Sequence, residues 1–187
     1  GVALPGLLAA LLLLGGAAYL AARLDPLPPR YTGVAQASDG DSLRLRNDRI
    51  RLLGIDAPEL DQVCWDEAGT EWTCGRSSEA RLSSILDGGP TTCQPRGHDK
   101  YGRILATCET AGRDIGAILV SEGWAIASGA YGTEQASARA AGLGIWRGRF
   151  VDPRQWRDRG PTGAPEPNVF DRILDWFREL TGATTLR

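Results

Sequence analysis

The chain predicts a small α+β domain with an appendage at each end, and three observations carry this. Stretches with strand character come first and helical stretches follow, the order expected of an α+β domain. Its 187 residues suffice for one domain with a real core, so folding need not depend on cross-links. The dense region, residues 31–159, is set off by a proline-rich spacer at 25–30 and a Gly/Pro-rich linker at 160–167.

Residues 31–38 are the first candidate strand, closed by a turn at Asp39-Gly40. In residues 42–46 Leu43 and Leu45 alternate with Arg44 and Arg46, the period of a half-buried strand. Asp41 falls on the face of Leu43 and Leu45. Asn47-Asp48 is a turn, and residues 50–55 are a third strand, apolar on both faces, so periodicity leaves the direction of Arg51 open. Residues 75–86 fit a helix stopped by Gly88-Gly89-Pro90. Residues 91–94 and 104–108 read as strands around a turn at 98–102. Residues 114–122 are a second helix, ended by Gly123, and residues 133–141 a third. Beyond the linker, residues 168–180 form an amphipathic helix with Asn168 as N-cap, in a tail that runs to residue 187. It is expected to dock on its own domain or on a protein partner. Its acidic polar face, with Asp171, Asp175 and Glu179, argues against lying on anionic lipid.

Composition excludes several chemistries. Net charge is -2, so any anion site must be built from local cations. The single histidine, His98, rules out zinc sites with two or more histidines and forces any histidine-dependent triad through that residue. We read His98 as an exposed turn residue, and Trp65, Trp72, Trp124, Trp146 and Trp156 as packing residues.

Residues 1–22 carry no charge and would be about 33 Å long as a helix. No face is polar, which argues against a core helix. Two readings stay open for residues 1–24: an uncleaved membrane anchor, or a signal peptide with its apolar region at 7–14. Arg23 and Arg30 mildly favour a cytoplasmic domain by the positive-inside rule. The cysteines argue the other way. Cys64, Cys74, Cys93 and Cys108 are even in number, and no pair has C-x-x-C spacing. Behind a targeting segment they suggest disulfides in an oxidising space. Of three possible pairings we favour Cys64–Cys74, which closes a loop, and Cys93–Cys108, which joins two strands. The alternative is four reduced cysteines in a cytosolic protein. We therefore expect an exported domain, periplasmic, extracellular or tethered outside the cytoplasm.

The chemistry concentrates between Asp39 and Glu59. Asp41 sits beside Gly40 at the mouth of a strand, and Asp56 and Glu59 leave a neighbouring strand with Pro58 stiffening the turn. If those strands lie close, three carboxylates converge, which is costly without a cation. Oxygen ligands select calcium or magnesium. Arg51, on the strand that leads to Asp56, can bind a phosphate oxygen and offset developing negative charge. Residues 99–103, Asp-Lys-Tyr-Gly-Arg, add cations and an aromatic at a turn.

With these blocks in view, D-G-D-S at 39–42, I-R-L-L-G-I-D-A-P-E at 50–59 and D-K-Y-G-R at 99–103, the sequence resembles the staphylococcal nuclease (thermonuclease) family over residues 31–149. E-G-W-A at 122–125 and G-I-W at 144–146 match later family elements. The resemblance implies a five-stranded OB-type barrel with three helices. It implies a calcium-dependent hydrolase of DNA or RNA, monomeric, leaving 3′-phosphate ends. Asp41 and Asp56 match side-chain calcium ligands, and Ala57 a carbonyl ligand. Glu59 matches the carboxylate that orients or deprotonates water, and Arg51 and Arg103 the arginines on the scissile phosphate. Lys100 and Tyr101 match residues near a terminal phosphate, and Tyr131 a tyrosine of the nucleotide site. The departures are the acidic balance, Gly129 in place of a stacking tyrosine, and a loop at 60–74 with two cysteines instead of lysines. The alternative class is a non-catalytic binding module on the same fold, with membrane tethering compatible with either.

Overall fold

The computed structural model describes residues 4–23 and 30–159. The C-terminal helix expected at 168–180, with its partner, lies outside the described residues.

Helix α1 spans Leu4–Arg23. Leu12 and Leu13 are 77% and 75% exposed, so the segment is no core helix. Among the described residues no helix is long and apolar enough to cross a membrane.

The domain starts with β1 (Tyr31–Gly33) and β2 (Ala35–Ala37). The single strand expected at 31–38 is thus two. The break falls at Val34, because β1 pairs with one strand of the sheet and β2 with another. Strand β3 (Ser42–Leu45) buries Leu43 and Leu45 and exposes Arg44, as its alternation requires. Strand β4 (Asp48–Leu52) buries Ile50 and Leu52. The continuous third strand expected at 50–55 breaks as well. Gly54, with φ +85°, turns the chain into β5 (Ile55–Asp56).

The loop expected at 60–74 contains a small ribbon, β6 (Cys64–Asp66) and β7 (Glu71–Trp72). Helix α2 (Cys74–Leu86) follows and buries Leu82, Ile85 and Leu86. Strands β8 (Thr91–His98) and β9 (Ile104–Thr110) form a long hairpin, with Ile104, Ala106 and Cys108 facing the core. Strand β10 (Arg113–Asp114) leads into α3 (Ile115–Ser121), capped by the Asp114 side chain accepting from the Ala117 N–H at 2.9 Å. Then come β11 (Ile126–Ala127), α4 (Gly132–Ala140), a 3-10 turn (Gly144–Arg147), β12 (Gly148–Arg149) and α5 (Pro153–Arg157).

The main sheet runs β1-β8-β9-β4-β3-β2, with β4 and β9 parallel and β10 on β9. Its two ends, β1 and β2, are joined by Val34 alone, which makes the sheet curl around its core. Among the described residues it does not close, so the five-stranded barrel is not what the pairing records. A second small core gathers Ile145, Trp72, Trp146 and the buried Cys64–Cys74 bond. Both favoured disulfides are present, Cys93 and Cys108 being direct partners in the β8–β9 ladder.

Candidate active site

The Asp39–Ser42 turn is tight because glycine permits it. A Cβ on Gly40 would lie 2.7 Å from the Ala57 Cβ and 2.8 Å from the Ser78 Cβ. That approach brings Asp41 against β5. Asp41 is 3% exposed. Its Oδ1 accepts from Arg51 Nη1 at 2.9 Å and Ser42 Oγ at 3.0 Å, and its Oδ2 from the Ala57 N–H at 3.2 Å. The second arm of Arg51 donates to Asp56 Oδ1 at 2.8 Å. The direction of Arg51, open from periodicity, is therefore toward the carboxylates. Burial pushes the Asp41 carboxyl up to about 7 despite Arg51, with Asp39 and Asp56 adding to the rise.

Glu59 leaves the next turn behind buried Pro58. Its N–H donates to Gln62 Oε1 at 3.2 Å, and Gln62 Nε2 donates to the Val151 carbonyl at 2.7 Å. The α2 N-terminus presses on the same turn. A Cβ on Gly75 would fall 1.6 Å from the Glu59 carbonyl oxygen, so only glycine fits.

The β8–β9 turn forms another wall. Asp99 accepts from the backbone N–H groups of Tyr101 and Arg103, both at 2.9 Å, and from Arg103 Nε at 2.7 Å. Arg103 Nη1 reaches Ser42 Oγ at 3.3 Å. The Lys100 ammonium lies 5.0 Å from the centroid of the exposed Tyr101 ring.

A third wall comes from α5, which the sequence reading left without a role. Arg157 donates from Nη1 to Asp56 Oδ1 at 3.0 Å and to Glu59 Oε1 at 2.7 Å, and from Nη2 to Asp56 Oδ2 at 2.9 Å. The signal for α5 was Asp152-Pro153, an N-cap followed by a proline in the first turn. No local signal pointed to Gln62 or to Arg157 as site residues.

These walls enclose a cleft of about 830 Å³. Arg49, Arg51, Lys100, Arg103, Arg154 and Arg157 line it against Asp39, Asp41, Glu59 and Asp158, so cations outnumber acids in a chain of net charge -2. Asp56 opens on an adjoining cleft of about 290 Å³ shared with Arg51, Arg154 and Arg157. Tyr131 lines neither. Its hydroxyl donates to Asp114 at 3.0 Å, and burial pushes it up to about 12. His98 is exposed at the end of β8.

The three carboxylates do not converge on one cation. Among the described residues no group of three or more acids, histidines or cysteines could hold a metal. The guanidinium groups of Arg51 and Arg157 stand between the acids instead. Two carboxylates remain suited to a hard cation. A carboxylate has about four lone-pair sites. Asp41 and Asp56 each accept three hydrogen bonds, which leaves about one acceptor site on each Oδ2. Two carboxylates with a free acceptor site each have the chemistry of a hard, loosely held ion such as calcium.

Residues 49–148 match the family model described as staphylococcal nuclease homologue. The chain is 38% identical over 122 residues to the "Succinoglycan biosynthesis protein ExoI" of Rhizobium meliloti (strain 1021), covering 62% of this chain and 64% of that protein. It is 29% identical over 151 residues to the "Probable endonuclease LCL3" of Uncinocarpus reesii (strain UAMH 1704), covering 64% and 46%. It is 30% identical over 138 residues to an "Uncharacterized endonuclease" of Escherichia coli, covering 67% and 84%. The chain thus spans less than two-thirds of the first two relatives.

Proposed function

The chain belongs to the staphylococcal nuclease family, and from that premise we propose that it is a calcium-dependent nuclease hydrolysing phosphodiester bonds of DNA or RNA outside the cytoplasm. One observation carries the reading. Asp41, Arg51, Asp56, Glu59 and Arg103 are all present and gather around one cationic cleft and its neighbour.

The chain's own groups account for the reaction. Arg51 uses two N–H groups on Asp41 and Asp56 and keeps others for a phosphate oxygen. Arg103 is anchored through Nε by Asp99 and reaches Ser42 through Nη1, which leaves Nη2 for a phosphate oxygen. Together they offset the charge that grows on the phosphoryl oxygens. Glu59 orients a water and accepts its proton as the water oxygen bonds to phosphorus. The P–O5′ bond breaks, the 5′ oxygen takes a proton from solvent, and a 3′-phosphate remains. Asp41, Asp56 and the Ala57 carbonyl would hold calcium, which supplies Lewis-acid polarisation of the phosphate when bound. The extracytoplasmic setting is supported by the two disulfides and the exposed leucines of α1.

The test is cleavage of DNA and RNA by the full chain with calcium, with magnesium and with excess chelator. Activity should need calcium, with an affinity on the order of 0.1–1 mM, and magnesium should replace it poorly. Binding of nucleic acid without turnover would return the domain to the non-catalytic class. Full activity in chelator would end the calcium reading.

A further inference from the structure

We propose that Arg157 is a positioning residue of this site, its guanidinium holding the Asp56 and Glu59 carboxylates at a set spacing and making α5 part of the catalytic unit. Arg157 lies beyond the residues matched by the family model, 49–148. Its effect on turnover rests on the nuclease reading, while the contact itself does not.

Three hydrogen bonds of 2.7 to 3.0 Å leave one guanidinium for two carboxylates. Lysine could not reproduce this, because a point charge lacks the planar fork. Asp56 and Glu59 are both acids, separated by two residues, and repel each other when ionised. The shared cation turns that repulsion into a bridge. The bridge is partly shielded, with side-chain exposures of 36% for Arg157, 35% for Glu59 and 12% for Asp56.

Among the described residues the Glu59 side chain is held by Arg157, which engages Oε1. Oε2 is left for water. Without Arg157 the carboxylate would rotate about its side-chain torsions, and a misaimed base costs rate even when everything else is in place.

Helix α5 is fastened to the segment that carries Glu59. Asp152 caps it, accepting from the Arg154 N–H at 2.8 Å, and Pro153 is buried. The preceding Val151 carbonyl takes the Gln62 amide at 2.7 Å, while the Gln62 oxygen holds the Glu59 N–H. Trp156 Nε1 donates to Asp61 Oδ1 at 3.2 Å, and β12 pairs with β6. Helix and base are therefore placed by one network.

The experiment compares full-length wild type with Arg157→Gln, Arg157→Lys, Glu59→Gln and the Glu59→Gln/Arg157→Gln double variant. Cleavage of a single-stranded oligonucleotide with calcium is measured well below each melting midpoint. Arg157→Gln should lower kcat by roughly 10- to 100-fold with KM nearly unchanged. Arg157→Lys should recover only part. In the Glu59→Gln background the second change should cost little more, since the two act as a unit. Wild-type kcat in folded Arg157→Gln would reduce the contact to a structural ion pair and overturn the proposal. So would a rise in kcat, which would make Arg157 a plug, or a change in KM alone, which would make it a substrate contact. A wild type that never cleaves would sink the nuclease reading and the catalytic half of this one. The positioning contact is then decided by the same double-mutant cycle in chemical denaturation: coupling between Glu59 and Arg157 supports it, additivity overturns it.

Discussion

Cys93–Cys108 joins two strands of eight and seven residues that are already paired, with one irregularity between Pro95 and Gly97. Cys64–Cys74 crosses a segment whose strands are only three and two residues long. The first bond reinforces a ladder whose hydrogen bonds and alternating burial already specify it. The second stands where little regular structure exists, and the turn bearing Glu59 is otherwise held by Gln62, by the close approach of Gly75 and by α5. The two sides of the site thus owe their shape to different things. Asp41 and Arg51 are placed by the sheet, and Glu59 by individual contacts.

The largest effect should come from the sheet side. Arg51→Lys and Arg103→Lys keep the charge and lose the fork, so each should cut turnover by roughly 10²- to 10³-fold, read well below the melting midpoint because Arg51→Lys also loosens the tie to buried Asp41 and Asp56. If both keep wild-type kcat, the arginines are ion-pair partners only, and the sheet side is no more catalytic than any other part of the domain.

The disulfides sharpen the comparison directly. Replacing either pair by serine should cost about 3 kcal/mol of stability in the chain-entropy model. Loss of Cys64–Cys74 should also lower kcat below the melting range, because the Glu59 turn loosens before the sheet does. Loss of Cys93–Cys108 should leave kcat unchanged in the folded protein. Equal kinetic effects would erase the distinction. Thiol titration of freshly isolated native protein should find none free, and four free thiols would return the cytosol to contention.

The smallest effect concerns a tie between two helices that belongs to neither side. Arg81, on α2, forks Glu122 just after α3, with Arg81 Nη2 donating to Glu122 Oε1 at 2.7 Å. That hydrogen bond, against a burial cost, holds the Glu122 carboxyl below its ordinary value. A depressed carboxylate contributes stability that is present above its unfolded value and lost as pH falls through the folded one. Glu122→Gln should therefore remove part of the acid sensitivity, cost about 1 kcal/mol or less at neutral pH and leave kcat alone. Acid melts of wild type and variant that superimpose would show the pair contributes nothing.

Much of the sheet side was legible in the sequence. Alternating Leu43 and Leu45 announced β3, and the strand expected at 104–108 lies within β9, with Ile104, Ala106 and Cys108 buried. The D-G-D and I-D-A-P-E blocks put Asp41 and Asp56 where they are found. The break at Val34 was not legible, because an apolar residue 82% exposed between two strands looks like part of one. Tyr131 matched a nucleotide-site position by resemblance, yet its hydroxyl is spent on Asp114 outside the clefts. Its φ of 61° and its ring against Gly116 turn it that way.

The family resemblance, not spacing, put roles on the acids and arginines, and the cysteine pairing was one favoured choice of three. By itself the sequence determined which faces are apolar and where the turns fall. Those are short-range properties, carried by periodicity, turn residues and spacing. The tertiary structure alone decided the direction of Arg51, the need for glycine at position 75 and the recruitment of Arg157. Arg157 is 98 residues from Glu59 along the chain and 2.7 Å from it in space. A contact of that kind depends on how β12 pairs with β6 and how Gln62 is buried, and so on the packing of the whole domain, which no local pattern records.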